Sequence, residues 1–497
     1  MSVKYLSDEF LFDYFLKKID PKKLFKQYSG EIKKKIKELL ENERKLIKAE
    51  ASENREGFIP KSQQRKIEII KDLWELLIRE AIYCLRSKDS EDLNLFKQDF
   101  GIIEIKQYFE KFSEFEEVLH GTDRYYRDHS LHVIRVFFLG FYLLSSKLSN
   151  LEGTEINFNS IKILPSEIFK EVRLTLEEIQ AIWILIALTH DLGYPIEKIE
   201  HINQKITGLI SYYGPSGIEE FKYHLPPQNQ FLNDFILKFI SSKLIHKQNE
   251  VEYYTVIQNK YYLKFAKAFE NFSHGIMSCI LLMKHLVYFK ESDYSHSGLN
   301  GLTERDAIQF SIRRTILRSI ASHDNEDIYH IYPNNFRFIL TFCDDLQEWD
   351  RPRVTGRFQK SEKILIPKFN SNEIHFEKHI ILSENIEISI EHIEVFAQNV
   401  RKYIKLFRSG PNSNNRTFTF TFKIKAKIEE TKIIEIFSFE YPTNKAPNIK
   451  IPLLNLEKHE LLDIFLDFIR SNYIINERIE TLLEKLNLSL ESKIQNS

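Results

Sequence analysis

A histidine and an aspartate stand side by side at the end of an apolar segment. Residues 181–188 form an unbroken apolar run, and His190 and Asp191 follow it before Gly193 and Pro195 interrupt the helix. An imidazole and a carboxylate at the end of a buried helix are costly to desolvate unless they pair or bind a metal ion. From this peptide alone, two interpretations stay open: a metal site, and a hydrogen-bonded pair that caps the helix.

Four other segments place histidines or carboxylates beside apolar helical sequence. In chain order they contribute His129 with His132, then His274, then His323, and finally Asp344. His129 and His132 lie three residues apart and share one face if the helix begins this early. One histidine beside a core helix is usually a satisfied core residue, but five such sites in order are hard to explain by packing alone.

This order of residues resembles the HD superfamily of metal-dependent phosphohydrolases over about half of the chain. The resemblance implies an all-helical bundle whose central helices present ligands to one or two metal ions. By position, His132 is the implied first ligand, because Val136 follows it at the spacing of the family's H-x-x-x-V helix. His190 and Asp191 match the namesake pair, and Asp344 matches the closing aspartate.

The resemblance also implies a centre of two metal ions. His274 and His323 match the extra histidines of the binuclear members. Asp191 is then expected to bridge both ions and to take part in catalysis, because one carboxylate can offer an oxygen to each. His129 leaves the register open: it could replace His132 as a ligand, lie outside the ligand shell, or act as a catalytic proton donor.

The subfamily signals are mixed. The string His190-Asp-Leu-Gly-Tyr-Pro195 is similar to the deoxynucleoside triphosphohydrolase motif H-D-x-G-H-P-P, but Tyr194 replaces the second histidine and the following Phe-Gly-His is absent. The signature of the binuclear cyclic-dinucleotide phosphodiesterases places glycine-tyrosine-proline after a later histidine pair, and His323 has no such sequel. The segments around the predicted ligands also resemble uncharacterised bacterial HD proteins, so the resemblance indicates the fold better than the substrate.

The chemistry expected of such a centre is phosphoryl hydrolysis. Nitrogen and carboxylate ligands together suit Fe, Mn or Zn, and no thiolate is needed. A pair of such ions activates water as hydroxide near neutral pH and stabilises the charge of the transition state. We therefore expect hydrolysis of a phosphoester or phosphoanhydride bond in a nucleotide or another phosphorylated small molecule.

Such a substrate needs positively charged partners. Arg127, Lys198 and Arg351 lie next to the predicted ligand segments, and guanidinium groups suit phosphate oxygens through paired hydrogen bonds. Tyr194 could donate a proton, stack on a base or simply pack against the turn.

Two other functions fit the same residues. The first is a sensor or signalling protein whose HD core binds a nucleotide without turnover. The second is a structural protein whose histidines all lie in its core. Hydrolysis by the purified protein separates the enzyme from the sensor, and metal content tests the structural alternative.

The elements that must position these residues are mainly helical. The chain of 497 residues contains only 15 glycines and 14 prolines, roughly half the usual share. We predict an N-terminal helical region at residues 1–120, an HD-type helical bundle at 121–358 and a small C-terminal α+β appendage at 359–497. Residues 148–174 and 200–254 are polar and irregular, and we interpret them as insertions between core helices.

The appendage is predicted from a change of period. Residues 417–428 alternate polar and apolar side chains strictly, as a half-buried strand does. Residues 432–441 form a predicted hairpin partner, and residues 374–382 a third strand. Helices are expected at 388–407, 456–471 and 475–486.

Charge and cysteine content limit the partners and the compartment. The 70 basic and 71 acidic residues give a net charge of -1, so no global excess favours nucleic acid or an anionic membrane. Three cysteines without CxxC spacing favour a reducing, cytoplasmic location. The longest apolar runs are shorter than a membrane helix needs, and a homo-oligomer is possible.

Overall fold

The computed structural model describes the greater part of the chain. The described residues are 5–50, 58–86, 99–122, 128–146, 156–210, 212, 227–246, 252–291, 301–325, 327–328, 333–347, 349, 362–370, 373–381, 419–428, 432–442 and 448–450. The fold is mainly α, as the composition predicts.

The described helices and strands are named here in chain order. In chain order they are α1 (Asp8–Tyr14), a π-helix (Phe15–Ile19), α2 (Pro21–Leu24), α3 (Ser29–Glu50), α4 (Phe58–Arg86), α5 (Ile102–Thr122), α6 (Ser130–Ser145), a 3-10 turn (Phe158–Ser160), α7 (Leu176–Thr189), α8 (Tyr194–Ile210), α9 (Pro227–Ser241), α10 (Asn259–Glu270), α11 (His274–His285), α12 (Val287–Lys290), α13 (Glu304–His323) and α14 (Phe336–Leu346). The strands are β1 (Ser242–His246), β2 (Tyr253–Ile257), β3 (Glu362–Phe369), β4 (Glu373–Ile381), β5 (Thr419–Ile428), β6 (Lys432–Pro442) and β7 (Asn448–Lys450).

Helix α7 shows how the sequence places the histidine–aspartate pair. Thr175 caps its first turn, and Glu178 completes a reciprocal capping box with Thr175. The helix is buried almost all round, as expected of a helix that is apolar on every face. Residues Leu176–Ile199 are long and apolar enough to cross a membrane, but 83% of their most apolar window is buried inside the fold. This stretch is therefore a core element in the structure.

The N-terminal helices pack directly against α7. The Trp74 indole Nε1 on α4 donates to the carbonyl oxygen of Leu188 at 2.9 Å, and its ring stacks on Phe109 of α5. One hydrophobic core contains residues from α1 through β4. Within residues 5–50, 58–86 and 99–122, all regular structure is helical, as predicted. The three-way division of the chain stays a prediction.

The C-terminal strands form one sheet in the order β3-β4-β5-β6-β7. β5 and β6 form the predicted antiparallel hairpin, with Phe422 opposite Phe439. β4 occupies the predicted third strand, and it pairs with β5 in parallel. β5 therefore lies between two neighbours, so its alternating sequence does not form a sheet edge.

The expectation that residues 200–254 are irregular is wrong for much of this range. α8 continues to Ile210, α9 occupies 227–241, and β1 follows. Ile236, Phe239 and Ile240 are buried on α9 at helical spacing, a weak amphipathic pattern hidden among polar residues. Of the predicted irregular range 148–174, residues 156–174 are irregular apart from the 3-10 turn, as expected, and residues 148–155 lie outside the described residues. The predicted helices at 388–407, 456–471 and 475–486 lie outside the described residues.

Candidate metal centre

Six side chains from five segments converge where several core helices end or begin. His132 lies in the first turn of α6, His190 and Asp191 follow α7, His274 opens α11, His323 ends α13, and Asp344 lies in the last turn of α14. They form two groups in which one nitrogen or oxygen from each residue lies within 4.8 Å of the others. All six were singled out from the sequence as candidate ligands.

The first group contains two histidines and two aspartates. The Nε2 atom of His132 lies 2.9 Å from Oδ1 of Asp344 and 3.7 Å from Oδ2 of Asp191. The Nε2 atom of His190 lies 3.4 Å from the same Asp191 oxygen. The atoms of these three contacts surround one small volume. The four side chains around it can hold a cation.

The second group uses the other oxygen of Asp191. Oδ1 lies 3.5 Å from Nε2 of His274 and 3.6 Å from Nε2 of His323. The two imidazole nitrogens lie 3.0 Å from each other. Asp191 thus offers one carboxylate oxygen to each group, which is the arrangement of a bridging ligand.

The Nδ1 atom of each of the four histidines is held by an oxygen acceptor. The four pairs are His132 with Gln347 Oε1 at 2.5 Å, His190 with Ala187 O at 2.9 Å, His274 with Glu197 Oε2 at 2.6 Å, and His323 with Ile320 O at 2.6 Å. Since a carbonyl or carboxylate oxygen accepts only, Nδ1 carries the proton in each pair. Nε2 is therefore the nitrogen that can ligate a metal when the ring is neutral.

Two observations show that these residues fit cations. The Nε2 atom of His190 is buried and has no hydrogen-bond partner among the described residues, an arrangement that costs free energy in the absence of a ligand. Between His274 and His323, two nitrogens face each other at 3.0 Å, so a proton or a metal ion must lie there to prevent lone-pair repulsion. Imidazole nitrogen and carboxylate oxygen together are a donor set for Fe, Mn or Zn.

The ionisation of the centre follows from its charges. Burial disfavours the charged form of Asp191. The surrounding imidazoles have the larger combined effect, with His190 contributing most, and they hold the pKa of Asp191 well below its usual range. Burial lowers the pKa of His190 to about 4. His274 behaves in the opposite way: burial opposes its protonation, but Asp324, Glu197 and Asp191 raise its pKa to about 10.

Three polar residues that the sequence analysis did not assign support these ligands. Glu197 on α8 accepts from His274, Asp324 accepts from the Gly275 backbone at 3.1 Å, and Gln347 accepts from His132. Asp324 directly follows His323, and this adjacency was its only sequence signal. Glu197 and Gln347 could not be identified without the tertiary fold.

A close backbone approach fixes the turn that carries Asp191. The Gly193 N–H donates to the Ser278 hydroxyl at 2.7 Å, and that hydroxyl donates to the His190 carbonyl at 2.8 Å. A Cβ atom at Gly193 would lie 2.2 Å from the carbonyl oxygen of His274. Glycine is therefore required where the turn meets α11.

The structure distinguishes His129 from His132. His129 caps α6, its backbone N–H donates to Glu116 at 2.5 Å, and its ring stacks on Tyr194 with centroids 3.9 Å apart. It belongs to neither ligand group among the described residues, whereas His132 does. His129 thus lies beside the candidate ligands rather than among them.

The predicted substrate-binding residues are partly described. Tyr194 presents its ring to His274 at a centroid distance of 5.6 Å. Nζ of Lys198 lies 4.9 Å from the Tyr194 ring centroid and 3.3 Å from Glu197. Both side chains therefore lie beside the second group. Arg127 and Arg351 lie outside the described residues.

Comparison with known proteins identifies no family for this chain. No protein-family model, no curated protein and no solved structure matches it.

Proposed function

We propose that this protein is a metal-dependent phosphohydrolase of the HD type, acting on a phosphoester or phosphoanhydride bond of a nucleotide or related substrate. The observation that carries the proposal is the orientation of Asp191, whose two oxygens face two separate histidine groups. A carboxylate that only caps a helix has no need of histidines on both sides.

The two groups divide the ligands between two ions. His132, His190 and Asp344 would hold one ion, His274 and His323 would hold the other, and Asp191 would contact both. When bound, such ions supply activated water and Lewis-acid stabilisation of the phosphoryl oxygens. The protein fixes each imidazole through its Nδ1 partner, so the Nε2 atoms are oriented before any ion arrives.

The residues beside the ligands suit an anionic substrate. Lys198 places a positive charge next to the second group, where a phosphate oxygen of the substrate would lie. Burial raises the pKa of Tyr194, so this phenol keeps its proton near neutral pH and can donate a hydrogen bond. The sequence adds Arg127 and Arg351 as further candidates for this role.

The proposal is tested by hydrolysis. Purified protein loaded with Mn(II) or Fe(II) is expected to hydrolyse a generic phosphodiester or a member of a nucleotide panel, and His190→Ala is expected to abolish this activity. His246→Ala is the matched control, since His246 is exposed on β1 and distant in sequence from the ligands. Equal activity of wild type and His190→Ala would contradict the proposal.

The sensor function has a different signature in the same experiment. If wild type and His190→Ala are both silent on every nucleotide, and one nucleotide still raises the melting temperature, the centre is a binding site without turnover.

A further inference from the structure

One cavity, lined by none of the six candidate metal ligands, has five positively charged residues among the eleven that line it. Its volume is about 460 Å³, within the usual range of small-molecule sites. The positively charged residues on its wall are Lys162, Lys260, Arg314, Arg318 and Arg337. The described residues that line it include no aspartate or glutamate.

The arginines of this cavity have unused hydrogen-bond donors. Arg337 is only 9% exposed, and its Nε and Nη2 atoms have no partner within the described part of the chain. The Nε atoms of Arg314 and Arg318 are likewise buried and unpartnered there. Buried donors of this kind are normally satisfied, so their concentration around one cavity points to a missing acceptor.

The same arginines repel one another. Burial, together with the nearby charge of Arg318, lowers the pKa of Arg314 and of Arg337 to about 9 each. The Arg318 guanidinium lies 4.0 Å from the ring centroid of Tyr261, which partly compensates its charge. No described carboxylate lies within ion-pair distance of these three guanidinium groups. An anion in the cavity would remove both the repulsion and the unmet hydrogen bonds.

We propose that this cavity binds a polyphosphate chain, such as that of a nucleoside triphosphate, at a site separate from the metal centre. Three guanidinium groups offer paired donors that match phosphate oxygens. Five cations, with no carboxylate among the described lining residues, suit a ligand with several negative charges better than a single carboxylate or orthophosphate. Tyr261 and Gln258 on the wall leave room for a less charged part of the ligand.

The site is distinct from the centre but shares two helices with it. On α13 the lining residues Arg314, Arg318 and Ser319 precede His323 by nine, five and four residues, roughly 13, 8 and 6 Å along the helix axis. Arg337 precedes Asp344 by seven residues on α14, roughly 10 Å. None of the cavity's lining residues belongs to the ligand groups.

The experiment measures binding without catalysis. Full-length protein in EDTA is titrated with tripolyphosphate, ATP, orthophosphate and a ten-residue oligothymidylate, by calorimetry and by melting temperature. Tripolyphosphate and ATP are expected to bind and to raise the melting temperature, whereas orthophosphate binds far more weakly. Binding by ATP alone would show that the nucleoside is also recognised. Because EDTA removes the metals, failure of the proposed hydrolysis cannot mimic failure of this site.

Substitutions locate the binding. Arg318→Gln and Arg337→Gln are each expected to weaken tripolyphosphate binding about tenfold or more, because each removes a charge-assisted hydrogen bond. Arg305→Gln is the matched control. Arg305 is exposed at the start of α13, the helix that carries Arg318, and it does not line the cavity.

If either buried substitution prevents folding, Lys260→Gln replaces it. Lys260 is exposed, and its loss is expected to weaken binding about twofold to fivefold. The proposal is wrong if no polyphosphate binds, if the Arg305 variant loses as much affinity as the others, or if only the oligonucleotide binds.

Discussion

Each ligand histidine of the candidate centre is held through one ring nitrogen, so that the other faces inward. The acceptors differ: backbone carbonyls hold His190 and His323, a carboxylate holds His274, and an amide oxygen holds His132. Backbone acceptors cannot be removed by a side-chain substitution. Gln347 is therefore the partner whose substitution can measure how much this orientation contributes to metal affinity without adding or removing a charge.

Gln347→Leu is expected to weaken metal binding about 10- to 100-fold, the usual effect of losing such a partner. The side chain is fully buried, so some loss of stability is also expected. Gln309→Leu controls for this, because Gln309 is a buried, hydrogen-bonded glutamine that contacts Tyr288 and the Leu85 carbonyl instead of a ligand. Titration with Mn(II) measures both variants, and equal affinities would show that Gln347 has no role in orienting His132.

The second ion is expected to bind more tightly as the pH rises. The pKa of His274 is raised to about 10, and that of His323 is raised by Asp191 against the effect of burial. A metal ion must therefore displace protons from this group, and its apparent affinity should rise by up to about tenfold per pH unit for each proton released. His190, whose pKa is about 4, needs no such displacement above that pH.

Calorimetric titration with Mn(II) between about pH 6.5 and pH 8, in buffers of different ionisation enthalpy, measures this proton release. Uptake of the second ion without proton release would contradict the assignment of His274 as a ligand.

The sequence identified the six converging residues because each stands where an apolar helix meets a polar residue. It gave no role to Glu197, or to Gln347 in the segment after Asp344, because each acts only through a histidine that is distant in the sequence. Choosing between His129 and His132 as the candidate ligand requires knowing the residue at which α6 begins. That boundary depends on the carboxylate of Glu116, which accepts from the backbone there.

At the scale of elements, the turn after α7 must approach α11 closely. Gly193 lies at this junction, where a Cβ atom would lie 2.2 Å from the His274 carbonyl oxygen, and Gly275 on α11 faces α13, where a Cβ atom would lie 2.5 Å from the Ile320 carbonyl oxygen. Backbone atoms of the α11 segment surround Gly193, so they cannot move aside as a flexible side chain can. The spacing between the two ligand groups thus depends on helix packing as well as on the ligands.

Gly193→Ala is expected to destabilise the protein by about 1–3 kcal/mol through overpacking and to weaken metal binding at the second group. Gly208→Ala is the matched control: it lies on α8, a Cβ atom added there would meet no neighbouring atom of the described chain within 4 Å, and alanine is the better helix former by up to about 1 kcal/mol. Denaturant unfolding with metal titration checks both. A Gly193 variant as stable as the Gly208 variant would contradict this packing.

Helices and the C-terminal hairpin were predictable because their apolar periods of 3.6 and 2 continue for many residues. The parallel pairing of β4 with β5 was not, because those strands are distant in sequence and local patterns specify only adjacent partners. α9 was missed because its buried residues follow a polar, proline-containing stretch that favours a loop.

At the scale of the whole molecule, a buried ionic network joins the N-terminal helices to the ligands. The Asp8 carboxylate accepts from Arg135 on α6 at 2.8 Å, from Lys66 on α4 at 2.9 Å, and from the indole of Trp349 at 3.0 Å. The carbonyl of Trp349 in turn accepts from Gln347, the partner of His132. The first helix is therefore connected to a candidate metal ligand through three residues, Asp8, Trp349 and Gln347.

Asp8→Ala is expected to lower the free energy of unfolding by about 3–5 kcal/mol, because it leaves buried cations without their partner. Asp13→Ala, on the same helix, removes partly exposed ion pairs with Lys17 and Arg44 and should cost about 1 kcal/mol or less. The pKa of Asp8 is lowered, since its cations outweigh the opposing effect of burial. The contribution of Asp8 to the free energy of unfolding is therefore complete above the ordinary aspartate pKa. It is lost as the pH falls below that value. Urea unfolding of the two variants measures the difference, and equal losses would contradict a structural role for the network.

Metal content per chain tests the central claim most directly. After anaerobic loading with Mn(II) or Fe(II) and removal of free metal, elemental analysis of the wild type should find one ion for each of the two ligand groups. Asp191→Asn, which removes the shared anionic ligand but keeps the side-chain volume, should retain no more than one. A wild-type protein that holds no ion, or an Asp191 variant that keeps both, would contradict a centre bridged by this aspartate.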